Sequence, residues 1–281
     1  MKNPADFHIL LLNDMHISLP GELYHNRDSA SVFRQTLNAL CKIEQPDLII
    51  LNGDICAIDP SAEIYDFVAR HLEESGIPVI AIPGNHDDPA MMMDFFPLPA
   101  QVLQDLGAAP VYASPEDPYC GWAKLHNCGI SWLNSFDHTL STLQREWLHA
   151  NAGRMHAQNG SLVFIHHPPV HVPCIFMESN YPLQDREQAY TAIRNIPDIQ
   201  RIFCGHYHRR YEHKTEPVTM VSSSLYTMDP EHDQHRILHY NPGYARIYLR
   251  RTPSAGIPPV HYPHYTVAEL PEKMLKDQYE I

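Results

Sequence analysis

The chain has 281 residues, 44% of them hydrophobic, and a formal net charge of -13. That is enough apolar material for a sizeable core, in one large α/β domain or a domain with an appendage. No run of Lys or Arg offers the basic groove that a polyanionic backbone needs, so a nucleic-acid partner is disfavoured.

At the N-terminus, MKNPADFHILLLNDMH holds an apolar run (ILLL) too short for a signal-peptide core or a membrane span. No membrane partner and a cytoplasmic location are therefore expected. Short runs rich in Ile, Leu and Val predict strands at about 7–12, 47–51, 78–82, 130–134, 161–165 and 200–204. Stretches with helical spacing lie between them at 29–44, 61–75, 141–151 and 185–195, the pattern of a largely parallel sheet covered by helices. Asp28 or Ser29 is expected to cap the first helix, Ser61 the second, and Gly76 to stop the second. Segments 218–226, 235–240 and 244–250 have no helices between them and read as antiparallel strands. Residues 1–250 thus form one α/β domain, and the Pro-rich 251–281 reads as an extended tail with a short terminal helix. The tail is expected to pack on the domain or on a second subunit of a homodimer. Six cysteines are scattered without a CxxC pair, which suits reduced thiols, and Cys120 and Cys128 are expected to stay unpaired.

Five predicted strands end in polar clusters: NDMH, NGD, GNHDD, HHPP and GHYH. In an open parallel α/β sheet, the loops leaving the carboxyl ends of the strands share one edge, and ligands bind there. Taken singly, each cluster is weak. Asp-x-His arises by chance, NGD is a common turn signal, and HHPP reads equally well as a loop held extended by Pro168 and Pro169. GNHD and GHYH say more, because each sets a Gly directly before a group that must approach something closely. The weight lies in the conjunction, five matches each following a strand. Abundance adds little: most of the 20 histidines, among them His71, His138, His149, His156, His213, His232 and His264, read as surface residues.

The set Asp14/His16, Gly53-Asp54, Gly84-Asn85-His86-Asp87, His166 and Gly205-His206/His208 resembles the calcineurin-like metallophosphoesterase family over about residues 7–250. Within it, GNHDD, HHPPV, CGHYHR and NPGYARIYL are most similar to the class III cyclic-nucleotide phosphodiesterases. The resemblance implies a four-layer αββα sandwich of mixed sheets, with two metal ions at the carboxyl ends of the strands. Asp14 and His16, two apart in an extended segment, would face one way and clasp the first ion. By resemblance, His208 joins that ion and His206 the second, with Asn85 and His166 completing the second site. His166 is preferred to His167 because the family's ligand is the first residue of this segment. Asp54 would bridge two ions about 3.5 to 4 Å apart. A neutral Asn85 leaves the centre net positive toward a phosphate anion. Imidazole, carboxylate and amide without thiolate suit Mn, Fe, Zn or Co, and the resemblance favours Mn or Fe.

A water activated between the two ions is the expected nucleophile on phosphorus, and His86 the expected general acid or phosphate clamp. Asp87 is expected to orient its neighbours and Asp88 to cap the helix that follows. The leading substrate is a small phosphodiester, a 3',5'-cyclic nucleotide such as cAMP. A glycerophosphodiester or a broad range of monoesters is the enzymatic alternative, and a non-catalytic protein-binding scaffold the alternative of another class. Residues 168–183, with Phe176, Met177 and Tyr181, read either as a roof over an organic group or as a buried loop or dimer contact. The stretch SLPGELYHNRD is expected on the other side.

Overall fold

The computed structural model describes residues 6–250, 263–271 and 273–276. Most of the sequence read as tail, 251–262 and 277–281, lies outside them. Two mixed sheets face each other. The first holds, in spatial order, the strands His264–Glu269, Gly243–Arg250, Asp6–Leu12, Leu48–Asn52 and Val79–Ile82. The second holds Tyr211–Glu212, Val218–Met220, Ile199–Cys204, Ser161–Ile165, Cys128–Leu133, Gly121–Leu125 and Val111–Ala113. Asp6–Leu12, Leu48–Asn52 and Val79–Ile82 run parallel, as do Cys128–Leu133, Ser161–Ile165, Ile199–Cys204 and Val218–Met220.

Side chains on a strand alternate between its two faces, and here both faces are apolar. Along the first strand Phe7, Ile9 and Leu11 point to the core between the sheets, while Leu10 and Leu12 pack toward helices Ser29–Glu44 and Ala62–Ser75. In the second sheet Leu162 and Phe164 face the first sheet, whereas Val163 and Ile165 pack with Leu148 of helix Thr142–Asn151 and Ala189 of helix Arg186–Ile193. Strands buried on both faces read as continuous apolar runs. The result is the expected four-layer αββα sandwich.

Asp28 caps the first helix, accepting from the Ser31 N–H at 2.9 Å, and Gly76 ends the second in the left-handed conformation at φ 67°. Ser61 occupies the N-cap position of the second helix, but its side chain makes no capping hydrogen bond. Four further elements depart from the sequence reading. Val218–Met220 pairs in parallel with Ile199–Cys204, not antiparallel, because the short strand Tyr211–Glu212 runs backward and supplies the return that a helix otherwise makes. Gly121–Leu125 and Val111–Ala113 add antiparallel strands where none was expected. Within the stretch read as tail, His264–Glu269 forms the edge strand beside Gly243–Arg250, and a short helix follows at Lys273–Lys276. All six cysteines are free. No helix among the described residues is long and apolar enough to cross a membrane.

Phe164 is fully buried between the sheets and stacks on Phe203 with ring centroids 5.5 Å apart. Phe164→Ala is expected to cost about 3–5 kcal/mol, read as a lower urea midpoint with an unchanged m value.

Candidate metal centre

The carboxyl ends of the central strands are stitched across the gap between the sheets. Asn52 Nδ2 donates to the Ile165 carbonyl at 3.1 Å, and Asn13 Nδ2 donates to the carbonyls of Cys204 and Val221 at 3.0 and 3.2 Å. This brings the loops of both sheets to one edge. Asp14, His16, Asp54 and His208 place ligand atoms within 4.8 Å of one another, and so do Asp54, His166 and His206. All six are buried. Asp54 belongs to both groups: its Oδ2 is 3.5 Å from His16 Nε2 and 3.2 Å from His166 Nε2.

The expectation that Asp14 and His16 converge along an extended segment is corrected. Both sit in the left-handed region, at φ 50° and 44°, where few non-glycine residues are found. Their backbone N–H groups donate to the carbonyls of Gly53 and Asp54, each at 3.0 Å, so the segment is held against the Asp54 loop in a kinked form. Asp54, His206 and His208 also have positive φ, at 53°, 71° and 49°. Such strain persists only where the surroundings enforce it, and it clusters at functional sites. Close approach explains two glycines of the motifs. A Cβ on Gly84 would stand 2.3 Å from Asp54 Oδ1, and one on Gly205 would stand 2.5 Å from Asp14 Oδ2.

The residues fit a cation pair on their own geometry. His166 Nδ1 donates to the Asn52 carbonyl at 3.0 Å, His16 Nδ1 to that of Ala57 at 3.2 Å, and His206 Nε2 to that of Tyr181 at 2.8 Å. Each carbonyl fixes the ring and leaves the other nitrogen free to ligate. Asn85 Oδ1 is buried without a hydrogen-bond partner, a costly arrangement that a cation relieves. His167 differs, since Ser135 and His138 engage both of its ring nitrogens.

Around the ligands, Asp87 accepts from the N–H groups of Ile55, Cys56 and Gly84 and from the Tyr65 hydroxyl, which ties the Asp54 loop to the GNHD turn. Asp88 caps the short helix Pro89–Met92. His86 is half-buried; its backbone N–H donates to Asp54 Oδ1 at 3.0 Å, and its Nδ1 donates to the Ile58 carbonyl at 2.8 Å.

Beside the ligands lies a cleft of ≈ 420 Å³. Its lining includes Asp54, Asn85, His86 and His206, together with Tyr24, His25, Phe176, Met177, Tyr181, Tyr226 and His235. Helix Ile175–Asn180 carries Phe176 and Met177 to the cleft, and Tyr24 and His25 come from the stretch after the first motif. His138 lines the cleft too, not the open surface expected of it. The signal was present, because NSFDH follows a predicted strand just as the five recognised clusters do. Tyr226 and His235 carried no motif.

A calcineurin-like phosphoesterase profile matches residues 7–210. The chain belongs to this family. It is a metal-binding hydrolase that acts on phosphoesters. A probable cyclic nucleotide phosphodiesterase of Fibrobacter succinogenes is 28% identical over 222 residues, covering 78% of this chain and 80% of its own. The glycerophosphodiester phosphodiesterase GpdQ of Enterobacter lignolyticus is 28% identical, covering 68% and 65%. Among solved structures, a dimetal phosphatase of Danio rerio is similar in fold, with a TM-score of 0.57 at 18% identity over 88% of this chain and 93% of that one.

Burial opposes charge throughout the cluster. It drives the pKa of His16 down to about 4 and those of His206 and His208 well below the usual imidazole value, and it lifts Asp14 to about 8. His166 and Asp54 escape it together. Burial opposes both charges, but the carboxylate holds the His166 imidazole up at about 9, and the imidazole holds Asp54 well below the carboxylate range. Without a cation the two form a buried ion pair at neutral pH. A cation on His166 must displace its proton, so metal binding at pH 7 is expected to release at least one proton and to strengthen as pH rises toward 9. Titration calorimetry in two buffers of different ionisation enthalpy measures this, and proton uptake or none would contradict the pairing.

Proposed function

We propose that the chain is a binuclear metal-dependent phosphodiesterase, with a 3',5'-cyclic nucleotide, cAMP first, as its leading substrate. The observation that carries it is the sharing of Asp54 by two buried ligand groups beside an aromatic cleft. Asp14, His16, Asp54 and His208 would hold one ion, and Asp54, Asn85, His166 and His206 the other, with Mn or Fe favoured over Zn or Co. When bound, such a pair supplies an acidified water as nucleophile and positive charge for the phosphoryl oxygens. The protein's own part is to place groups around that event. Asp54 holds both ligand sets in register, and Asn85 adds an oxygen without adding charge. His86, with its Nδ1 committed to the Ile58 carbonyl, turns its other nitrogen to the departing alcohol and must carry a proton there to act as acid. Phe176, Met177, Tyr181 and Tyr226 offer apolar surface to the organic part of the substrate. The name of the Fibrobacter relative supports the cyclic-nucleotide reading, and that of GpdQ supports a glycerophosphodiester as the alternative. Function in the cytoplasm agrees with the six free thiols, and a homodimer is the assembly we favour.

A panel of cAMP, glycerophosphocholine and simple monoesters, assayed with manganese, decides the substrate class. Preference for cAMP supports the reading, and hydrolysis of monoesters alone would overturn it. Asp54→Ala is expected to lose nearly all turnover together with bound metal, by elemental analysis; a variant with normal turnover and both ions would refute the shared position. His86→Ala should keep its metal and slow esters of poor leaving groups about 100-fold, more than esters of p-nitrophenol. Equal slowing of both would remove His86 as the proton donor.

A further inference from the structure

Outside the ligand set, one hydrogen-bonded series runs from the core to the cleft. Ser135 and His167 are wholly buried, and His138 stands at the cleft wall. The Ser135 Oγ accepts from the His167 backbone N–H at 3.2 Å and lies 3.0 Å from His167 Nδ1. His167 Nε2 in turn lies 3.0 Å from His138 Nδ1.

The sense of these bonds follows from the inventory of donors. The buried Ser135 hydroxyl has no other acceptor within reach among the described residues, so it donates to His167 Nδ1; the opposite sense would strand its proton. With Nδ1 accepting, His167 carries its hydrogen on Nε2 and donates to His138 Nδ1. His138 therefore carries its hydrogen on Nε2, the nitrogen turned away from the buried His167. The backbone holds the residue there as well. His138 sits at φ 62°, its N–H donates to the Ser135 carbonyl at 3.0 Å, and its own carbonyl accepts from Gln184 at 2.8 Å. His138 packs against His206, with ring centroids 5.8 Å apart, as His86 packs against His16 at 5.0 Å. Each ligand group thus has a half-buried imidazole beside it.

We propose that the Ser135–His167–His138 series fixes His138 as an Nε2–H donor to a phosphoryl oxygen of the substrate, next to the His166 and His206 ligand group. His138 is then a substrate-binding residue, and Ser135 and His167 are positioning residues. The inference rests on the phosphoester site described above and does not depend on which ester is cleaved.

The test uses zinc-loaded protein, whose metal is diamagnetic, labelled with 15N-histidine. Long-range proton–nitrogen spectra, assigned with His138→Gln, should show both His138 and His167 protonated on Nε2, and an Nδ1–H form of His138 would overturn the proposal. In Ser135→Ala, the single tautomer of His167 should give way to a mixture. Inorganic phosphate is the probe for binding. His138→Ala is expected to bind it about tenfold more weakly, the size of one hydrogen bond to a charged oxygen, with unchanged zinc content and a recovery in His138→Gln, which keeps an N–H donor. Equal affinity of wild type and His138→Ala, or no phosphate binding by either, would overturn the donor role. Should phosphate and tautomer results hold while no phosphodiester is cleaved, the substrate reading falls and this inference stands.

Discussion

The structure depends on keeping one carboxylate ionised where water does not reach. Asp54 is 1% exposed, and burial by itself would neutralise it. What keeps its charge is position: His166 lies 3.2 Å away, His16 lies 3.5 Å away, and the His86 backbone N–H donates to its other oxygen. These partners arrive from three separate loops, and each loop needs its own constraint. Gly84 clears the space beside the carboxylate, Asp87 pins the loop from below, and Asn52 and Asn13 fix the two sheet edges against each other. A buried carboxylate beside His16, His206 and His208, which burial holds neutral, is a seat for a cation, because little else satisfies so many lone pairs at once.

That arrangement explains why the strands look as they do in sequence. Both faces of Asp6–Leu12, Leu48–Asn52 and Ser161–Ile165 are apolar because each lies between a helix layer and the other sheet. Four apolar residues followed at once by Asn or His, as at Asn13, Asn52 and His166, mark the point where the strand leaves the core and enters the site. The central strands, the helices over them and the ligand loops were therefore legible. The edges were not. Val111–Ala113 is three residues long and lies at the rim of its sheet, and His264–Glu269 is half exposed within a Pro-rich stretch, so neither shows the double-faced pattern. Val218–Met220 misled for another reason: the direction of a strand is set by what lies before it, and the two-residue reversal at Tyr211–Glu212 has no periodicity to read.

The site divides along the same line. The candidate ligands are Asp, Asn and His side chains at strand ends, which residue type and spacing express. The cleft wall is built from side chains whose role depends on where helices and hairpins fall in space. Tyr226 and His235 meet there through the hairpin of Thr227–Met228 and Ile237–His239, with Tyr226 Oη 3.2 Å from His235 Nε2. His25 stacks on His235 at 4.7 Å although 210 positions separate them in sequence. Local sequence carries no trace of such a pairing. The left-handed φ of Asp14 and His16 is likewise a consequence of the Asp54 loop lying alongside, and the sequence suggested only their shared direction.

An acidic chain that takes an anionic ester poses an electrostatic question, and the geometry answers it. The charge of -13 is a sum over the whole chain. Exposed charges act weakly beyond a Debye length, about 10 Å at 0.1 M salt. Inside the cleft the balance is local. The ionisable groups along its wall other than Asp54 are imidazoles and phenols, and the one carboxylate is buried and faces the ligand set. Under the proposed reading, two divalent ions held by Asp14 and Asp54 would leave a net positive floor, and beside buried groups that charge would act over the few ångströms that matter. The negative surface then sets the solubility of the protein and its encounter with substrate, while the buried centre sets what it holds.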